Sequence, residues 1–509
     1  MTKKKLPTPR KSAPEPIVEP PIYLGNHSNG EYFHFQTEEE RRMREHILRE
    51  ADDLARRHGM DRRSFLASSM GMTLSLSAVN LVSGCSDDSK GSGFKTPPDI
   101  NDANACESNV DTTDLFIFDF QTHMVTQPSK AWDGLFKGSS QGKCGFADWR
   151  DCWGYESFVD LVFLSSDTHI AVLSGFCAVD GDVPIPNSDL FGVQETLNGM
   201  CNDTYKRLYS QFVVTPNYKW KEQQEAMEKF VAEHDVTSWK AFTSWGPGNG
   251  NTGYWFDDPI GVEMIEKGRD LGVKIFSCHK GPPISLLDGK YHDPADMVRA
   301  AKKYPDVNFV VYHSGVGFAG GSENTPYMRT GPEAYKGANA LVNAMVDEGV
   351  KPNSNVYADL GAVWNGLKSR PEAAANLMGK LLRFVGEDNI LWGTDCIWTG
   401  SPQPQIEAFL TFEISEEAQD TYDYPALTME AKKKILGLNG ARLLGIDPVT
   451  AKAQIQKSKT YRRKLELDAE FGRNRWAFQR PIIETWSDFQ AHAAHERGIF
   501  RTSPLLRRG

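Results

Sequence analysis

None of the eight cysteines in the sequence forms a CxxC pair, which removes the zinc ribbon and the thioredoxin-type redox motif from consideration. Eight cysteines spread over 509 residues are also too sparse for a disulfide-stapled scaffold. Basic charge is in short supply. Lys and Arg number 57 against 67 Asp and Glu, a formal charge of -10, and a general nucleic-acid binder would carry a basic face. The Gly-rich stretch 244–255 lacks the GKS/T ending of a phosphate-cradling loop. What remains is a large acidic chain with 40% hydrophobic residues, 12 Trp and 27 Phe, enough for a sizeable core or an aromatic-lined pocket.

The length exceeds one average domain, yet a (β/α)₈ barrel alone takes about 250 residues or more. One catalytic barrel with terminal extensions therefore fits as well as two domains. Residues 1–36 are Pro-rich, Lys-rich and polar, and read as disordered. Residues 37–58 read as a charged, solvated helix within an N-terminal extension over 1–60. Asp61-Arg62-Arg63-Ser64-Phe65-Leu66 then opens an uncharged, mildly apolar stretch that runs to Gly84 and ends in Val82-Ser83-Gly84-Cys85. The arginine pair directly before an apolar stretch resembles a twin-arginine export signal over 61–85, closed by a lipobox. The alternative is a membrane anchor, for which the stretch is barely long enough and rather polar. The resemblance implies use of the twin-arginine export machinery, a periplasmic or exported location, and a lipid anchor at Cys85. Such export carries folded proteins, so a cofactor can be acquired beforehand. Residues 86–114, polar and rich in Gly and Pro, read as a linker, with the mature enzyme beginning near Leu115. Cys144 and Cys152 are the pair a disulfide would join after export.

From Leu115 the pattern changes. Short apolar runs recur at Leu115–Asp119, His169–Gly175, Gln211–Thr215, Thr237–Phe242, Val273–Ser277, Val307–Tyr312, Asn355–Leu360 and Ile390–Gly393. Amphipathic stretches separate them, among them Glu222–His234, Pro259–Leu271, Pro294–Tyr304, Pro332–Glu348 and Pro371–Val385. Several of these open on proline, which suits the first turn of a helix. Near-continuous apolar strands alternating with helices predict a parallel sheet in an α/β fold. An open doubly wound sheet is the alternative to a closed (β/α)₈ TIM barrel over 115–447. The polar residues favour the barrel, because they fall at strand ends, where barrel enzymes keep their chemistry. Strand 1 ends in Asp119-Phe120-Gln121-Thr122-His123, strand 5 in Phe276-Ser277-Cys278-His279, strand 6 in Tyr312-His313-Ser314-Gly315 and strand 8 in Leu391-Trp392-Gly393-Thr394-Asp395. Imidazole nitrogen and carboxylate oxygen are ligands for a divalent ion such as zinc.

This constellation resembles the amidohydrolase-related superfamily, in the branch that includes aminocarboxymuconate-semialdehyde decarboxylase and related hydrolases. That family carries HxH after strand 1, His after strands 5 and 6, and Asp after strand 8. The matching positions are Gln121, His123, His279, His313 and Asp395. The resemblance spans about Leu115 to Ile446, with Asn439 and Arg442 in a helix-like tail. It implies a divalent metal, zinc in the first instance, held by His123, His279 and Asp395 with Gln121 beside them. Asp395 would be the general base and His313 a second-sphere or substrate-polarising group. Gln121 departs from the pattern, since a neutral amide oxygen is a poorer ligand than imidazole, and metal-free relatives exist in the family.

Lys240, on strand 4, is the position other amidohydrolases carboxylate to bridge two metals; a neutral or paired barrel lysine and a substrate-carboxylate binder are its other readings. Trp245 lies in the Gly-rich loop after strand 4, which is placed to cover a substrate, as is the loop 315–331. Asp359 ends strand 7 and is placed to orient a histidine or a substrate, or to serve as a structural hydrogen-bond acceptor. Residues 448–509 form a charged helical extension that packs on the barrel or on a neighbouring copy. The leading function is a metal-dependent hydrolase acting on a small molecule, with Asp395 handling the proton. A non-oxidative decarboxylase of an unsaturated or aromatic acid uses the same residues, and a metal-free hydrolase or a ligand-binding barrel is the remaining reading.

Overall fold

The computed structural model describes residues 19–28, 33–83, 91–137, 152–199, 205–247, 252–281, 287–317 and 323–476. Eight parallel strands form its centre: β1 (Phe118–Thr122), β2 (Ile170–Leu173), β3 (Leu208–Ser210 and Phe212–Val214), β4 (Trp239–Ala241), β5 (Ile275–His279), β6 (Asn308–Tyr312), β7 (Val356–Asp359) and β8 (Ile390–Leu391). Each pairs in parallel with the next in sequence. Strand β3 changes partner at Gln211: Leu208–Ser210 pairs with β2 and Phe212–Val214 with β4. The ring closes between β8 and β1, where Phe120 N–H donates to Trp392 O at 2.8 Å and Asp395 N–H to Gln121 O at 2.9 Å. A parallel bridge between Thr122 and Cys396 completes the seam. The closed barrel expected from the sequence is present, and the open sheet is not.

The interior is packed rather than hollow. Phe118, Phe120, Ile170, Val172, Tyr209, Val310, Tyr312, Tyr357 and Leu391 form one buried cluster, the layered filling of an eight-stranded barrel. The opposite strand faces meet helices, so the strands are apolar on both sides. The helices after β4 and β7, Pro259–Asp270 and Pro371–Phe384, begin at proline as expected, while the helix after β6 begins at Gly337 rather than Pro332.

The extensions are folded onto the barrel. Helix Glu38–Arg57 is charged on one side only. Met43, Ile47, Ala51 and Ala55, spaced four apart, are buried in one stripe, so the fully solvated helix expected for 37–58 is corrected. Upstream of it, within the stretch read as disordered, Ile22 and Leu24 are buried and Arg44 Nε bonds Glu19 Oε2 at 2.6 Å. Residues 61–83 form two helices, Arg62–Leu66 and Ser69–Ser83. The stretch read as a linker contributes strand Gly93–Phe94, paired antiparallel with Phe412–Glu413, and helix Ala103–Asn109. The C-terminal helices Pro448–Ile455 and Lys459–Phe471 pack on their own barrel. There Lys464 bonds Asp167 at 2.6 Å, and Arg473 joins Asp167 from the other side at 2.5 Å. Cys85, Cys144 and Trp486 lie outside the described residues. Cys152 is disulfide-bonded.

Candidate active site

Strand pairing decides which side chains reach the mouth of the barrel. In β1 the register with β2 shifts between Asp119 and Thr122, and an irregularity of this kind re-aims the side chains around it. Gln121 and His123 both enter the mouth, where they meet Asp395 from beyond β8. Asp119 fixes that seam. Its Oδ1 accepts the N–H groups of Gln121 at 3.2 Å and Thr394 at 3.0 Å, and its Oδ2 accepts the Thr394 hydroxyl. Three residues at the mouth are held at positive φ, Asp395 (58°), His313 (61°) and Ser314 (53°), a backbone region that side-chain-bearing residues seldom occupy.

One small pocket gathers Gln121, His123, Lys240, His279, His313 and Asp395. The Asp395 Oδ1 atom accepts the Gln121 Nε2 amide proton at 2.9 Å and stands 3.1 Å from His123 Nε2. The His123 Nδ1 group donates to the Ser174 carbonyl at 2.8 Å, which fixes the tautomer and leaves Nε2 as a lone pair. His313 is fixed in the same way: Nδ1 donates to Gly361 O at 2.9 Å, and Nε2 faces His279 Nδ1 at 3.1 Å. Burial holds His123 down at about 3, helped by the Lys240 cation. Burial likewise holds His313 at about 3 against the Gly361 hydrogen bond. Both rings are therefore neutral near pH 7.

Burial pushes Asp395 from its ordinary 3.8 up to about 7, with Lys240 and the Gln121 amide pulling the other way. The geometry adds a reason. The protonated acid can donate to the His123 lone pair, whereas the ionised acid faces it, so a hydrogen bond to the neutral form is lost on ionisation. Lys240 is pulled from 10.5 to about 8 by burial. Its ammonium lies 3.4 Å from the centroid of the Tyr312 ring and 5.0 Å from that of Phe242, close enough for cation–π attraction. Asp359 sits one layer back. Its Oδ1 accepts the His313 backbone N–H at 2.5 Å, a structural bond to the main chain of that residue.

Aromatic side chains wall the pocket: Trp132, Phe136, Phe176, Phe242 and Trp398. Phe136 stacks on Trp398 with ring centroids 5.0 Å apart, and Phe176 meets Trp132 at 4.8 Å. These walls were missed in the sequence because they sit on segments far apart in the chain with no shared pattern. The enclosed space is about 20 Å³, room for about one water. Trp245 meets Tyr218 edge-on at 5.8 Å and is not among the residues that line the pocket.

A family model described as amidohydrolase matches residues 191–446, half of the chain. The chain belongs to the amidohydrolase family. Three of the residues that this amidohydrolase brings to the mouth, His279, His313 and Asp395, lie inside the matched span, while Gln121 and His123 precede it. No curated protein matches the chain. Among solved structures, a probable 2-pyrone-4,6-dicarboxylic acid hydrolase from Acinetobacter baumannii, with citric acid bound, is 12% identical; the match covers 65% of this chain and 99% of that one, with a TM-score of 0.39. A 2,6-dihydroxybenzoate decarboxylase from Rhizobium is 13% identical over 65% and 99%, with a TM-score of 0.40. A 5-carboxyvanillate decarboxylase from Novosphingobium aromaticivorans, with bound manganese, is 12% identical over 66% and 98%, with a TM-score of 0.41. These are likenesses too distant to carry a substrate or a metal to this chain.

The donor set itself tests the expected ion. A catalytic zinc takes three protein ligands, and among the described residues no three His, Cys, Asp or Glu side chains gather as one such group. His123 Nε2 and Asp395 Oδ1, at 3.1 Å, are spaced like neighbouring ligands on one ion, about 3.3 Å for bonds near 2.0 Å at a tetrahedral angle. Gln121 brings an N–H, not an oxygen, to that point. Its Oε1 points toward Gly361, where an added Cβ would meet it at 2.0 Å. As they stand, these residues do not fit a resident three-ligand ion.

Proposed function

We propose that this amidohydrolase is a hydrolase of small, flat substrates, with Asp395 as the group that takes a proton from the attacking water. The carrying observation is the buried Asp395 carboxyl, lifted to about 7 and in contact with His123 and Gln121. A base works best when its pKa lies near the operating pH. In the reaction, water oxygen bonds to a carbonyl carbon while its proton passes to Asp395, and the Lys240 ammonium faces the developing oxyanion. Collapse breaks the bond to the leaving group, which receives the proton back from Asp395. The aromatic walls suit a planar substrate and exclude bulk water; since the closed pocket holds about one water, they must part to admit the substrate. The Lys240 cation equally suits a substrate carboxylate, which keeps non-oxidative decarboxylation as the second reading. We place the enzyme outside the cytoplasm. The Arg62-Arg63 pair before an apolar segment supports this, as does the disulfide at Cys152, a bond of oxidising compartments.

The test is turnover of the purified full chain on a panel of small aryl esters, lactones and aromatic acids, with metal content measured on the same sample. Release of the hydrolysed acid, lost about 100-fold or more in Asp395→Asn, is the expected result. Carbon dioxide release without hydrolysis would favour decarboxylation, and undiminished turnover in Asp395→Asn would overturn the assignment of the base.

A further inference from the structure

The segment that reads as an export leader is built into the folded protein. Asp61 caps the helix Arg62–Leu66, its Oδ1 accepting Ser64 N–H at 3.0 Å. Arg62 and Arg63 are exposed on the outer surface, whereas Phe65 and Leu66 are fully buried. Ten of the 15 residues of helix Ser69–Ser83 are buried, among them Met70, Met72, Leu74, Leu76 and Val79. A helix buried all round is an interior element, and no described helix is long and apolar enough to cross a membrane.

Four parts of the chain enclose this helix, one of them helix Ala103–Asn109. The apolar stripe of Glu38–Arg57 covers one side, and the barrel helix Gln403–Thr411 packs on another. The fourth contact is polar and specific. Asn80 Nδ2 donates to Phe94 O at 2.6 Å and Asn80 Oδ1 accepts Phe94 N–H at 2.9 Å, so one side chain imitates a strand neighbour. Phe94 in turn belongs to the strand paired with Phe412–Glu413 and meets the Phe412 ring edge-on at 5.6 Å. The C-terminal tail closes over the preceding turn, where Asn474 N–H donates to Ala67 O at 2.9 Å. Gly472, at φ 84°, has Ala67 O only 2.7 Å from where a Cβ would stand, so the tail approaches closer than a side chain would allow.

We propose that residues 62–83 are a permanent layer of the folded enzyme, retained after any export, and that the barrel surface around Gln403–Thr411 is the docking face for this segment of its own chain. Cleavage before Cys85 with loss of residues 1–84 would remove this helix together with Glu38–Arg57 and leave the barrel face around Gln403–Thr411 bare. The arginine pair stays accessible on the surface while the apolar stretch behind it does not, so the segment is displayed without being removable.

The experiment uses the full chain expressed in a bacterium with twin-arginine export. Intact-mass measurement of the purified protein comes first, and the uncut chain of 56.9 kDa is expected. A second form carries a specific protease site between residues 85 and 89. After cutting, fragment 1–85 is expected to co-elute with the remainder in native size-exclusion chromatography, with the melting temperature unchanged. Asn80→Ala, which removes both bonds to Phe94, is expected to lower that temperature and release part of the cut fragment. Leu74→Asp is expected to release it fully or to prevent folding. Recovery of a folded wild-type protein that begins at Cys85 would overturn the proposal. So would a cut fragment that separates and leaves a monodisperse barrel with the same melting temperature.

Discussion

Replacing Asp395 by Asn should raise stability relative to the wild type increasingly as the pH rises. Burial lifts the Asp395 carboxyl from 3.8 to about 7, so the folded protein holds this proton more tightly than the unfolded chain does. The stability tied to that proton is complete below pH 3.8 and is lost progressively as the pH rises through 7. Above 7 the ionised carboxylate has lost about 4 kcal/mol relative to acid conditions, at about 1.4 kcal/mol per pH unit. Between pH 5 and pH 8 the change is about 2.5 kcal/mol. Asn is nearly isosteric and does not titrate; at the Oδ1 position it can accept the Gln121 N–H or donate to His123 Nε2 but not both, a fixed cost that does not change with pH. Asp119, also raised to about 7, owes its shift mainly to burial and only in smallest part to the Asp395 charge, so its titration largely cancels in the difference. His123, held at about 3, stays neutral across the whole range. The assay is urea unfolding followed by tryptophan fluorescence for both proteins at pH 5, 6.5 and 8. The advantage of Asn over Asp is expected to grow steadily with pH by about 2.5 kcal/mol. An advantage that is flat with pH, or larger at pH 5, would show that Asp395 is solvated or paired and not the strained acid described. A stabilising substitution that abolishes turnover is the signature of a residue kept for chemistry rather than for folding.

The same site makes further measurable demands. Turnover should rise through about pH 7, as Asp395 loses its proton, and fall above about pH 8, as Lys240 loses its charge; a flat profile from pH 6 to 9 would contradict both roles. Gln121→His should exchange an amide N–H for an imidazole beside His123 and Asp395, so the variant is expected to keep more zinc after dialysis than the wild type, and equal metal content would refute the account of Gln121. Away from the mouth, Arg473→Met should cost about 3 kcal/mol in urea unfolding. Arg473 and Lys464 together hold the buried Asp167 carboxylate well below its ordinary range, and a loss under 1 kcal/mol would mean that the tail is not anchored there.

The sequence carried the barrel because the strands advertise themselves locally. Val307–Tyr312 and Asn355–Leu360 are apolar, β-branched runs, and the structure keeps nearly all of them as β6 and β7. Strand β1 was placed too early because the most apolar run, Leu115–Phe118, precedes the pairing. The actual strand extends to Thr122 through contacts with β2 and the β8 seam, which no local window contains. The mouth was legible for the same reason that barrels are: a polar residue at the end of an apolar run has only the mouth to occupy. Its aromatic walls were not, because Trp132, Phe176 and Trp398 lie on three separate connections. The N-terminal segment shows the limit most clearly. Apolar composition after an arginine pair is the same whether the helix is handed to an export machine or folded into a core, and only long-range partners such as Phe94 and Asn474 distinguish them. Gln121 belongs to neither group. The sequence marks it as a departure from the imidazole its family uses, and the structure turns that departure into chemistry. An imidazole there would offer a lone pair to an ion shared with His123 and Asp395. The amide offers a proton to Asp395 instead, and a carboxyl held by a donated proton beside a neutral histidine is poised to exchange protons with water near pH 7.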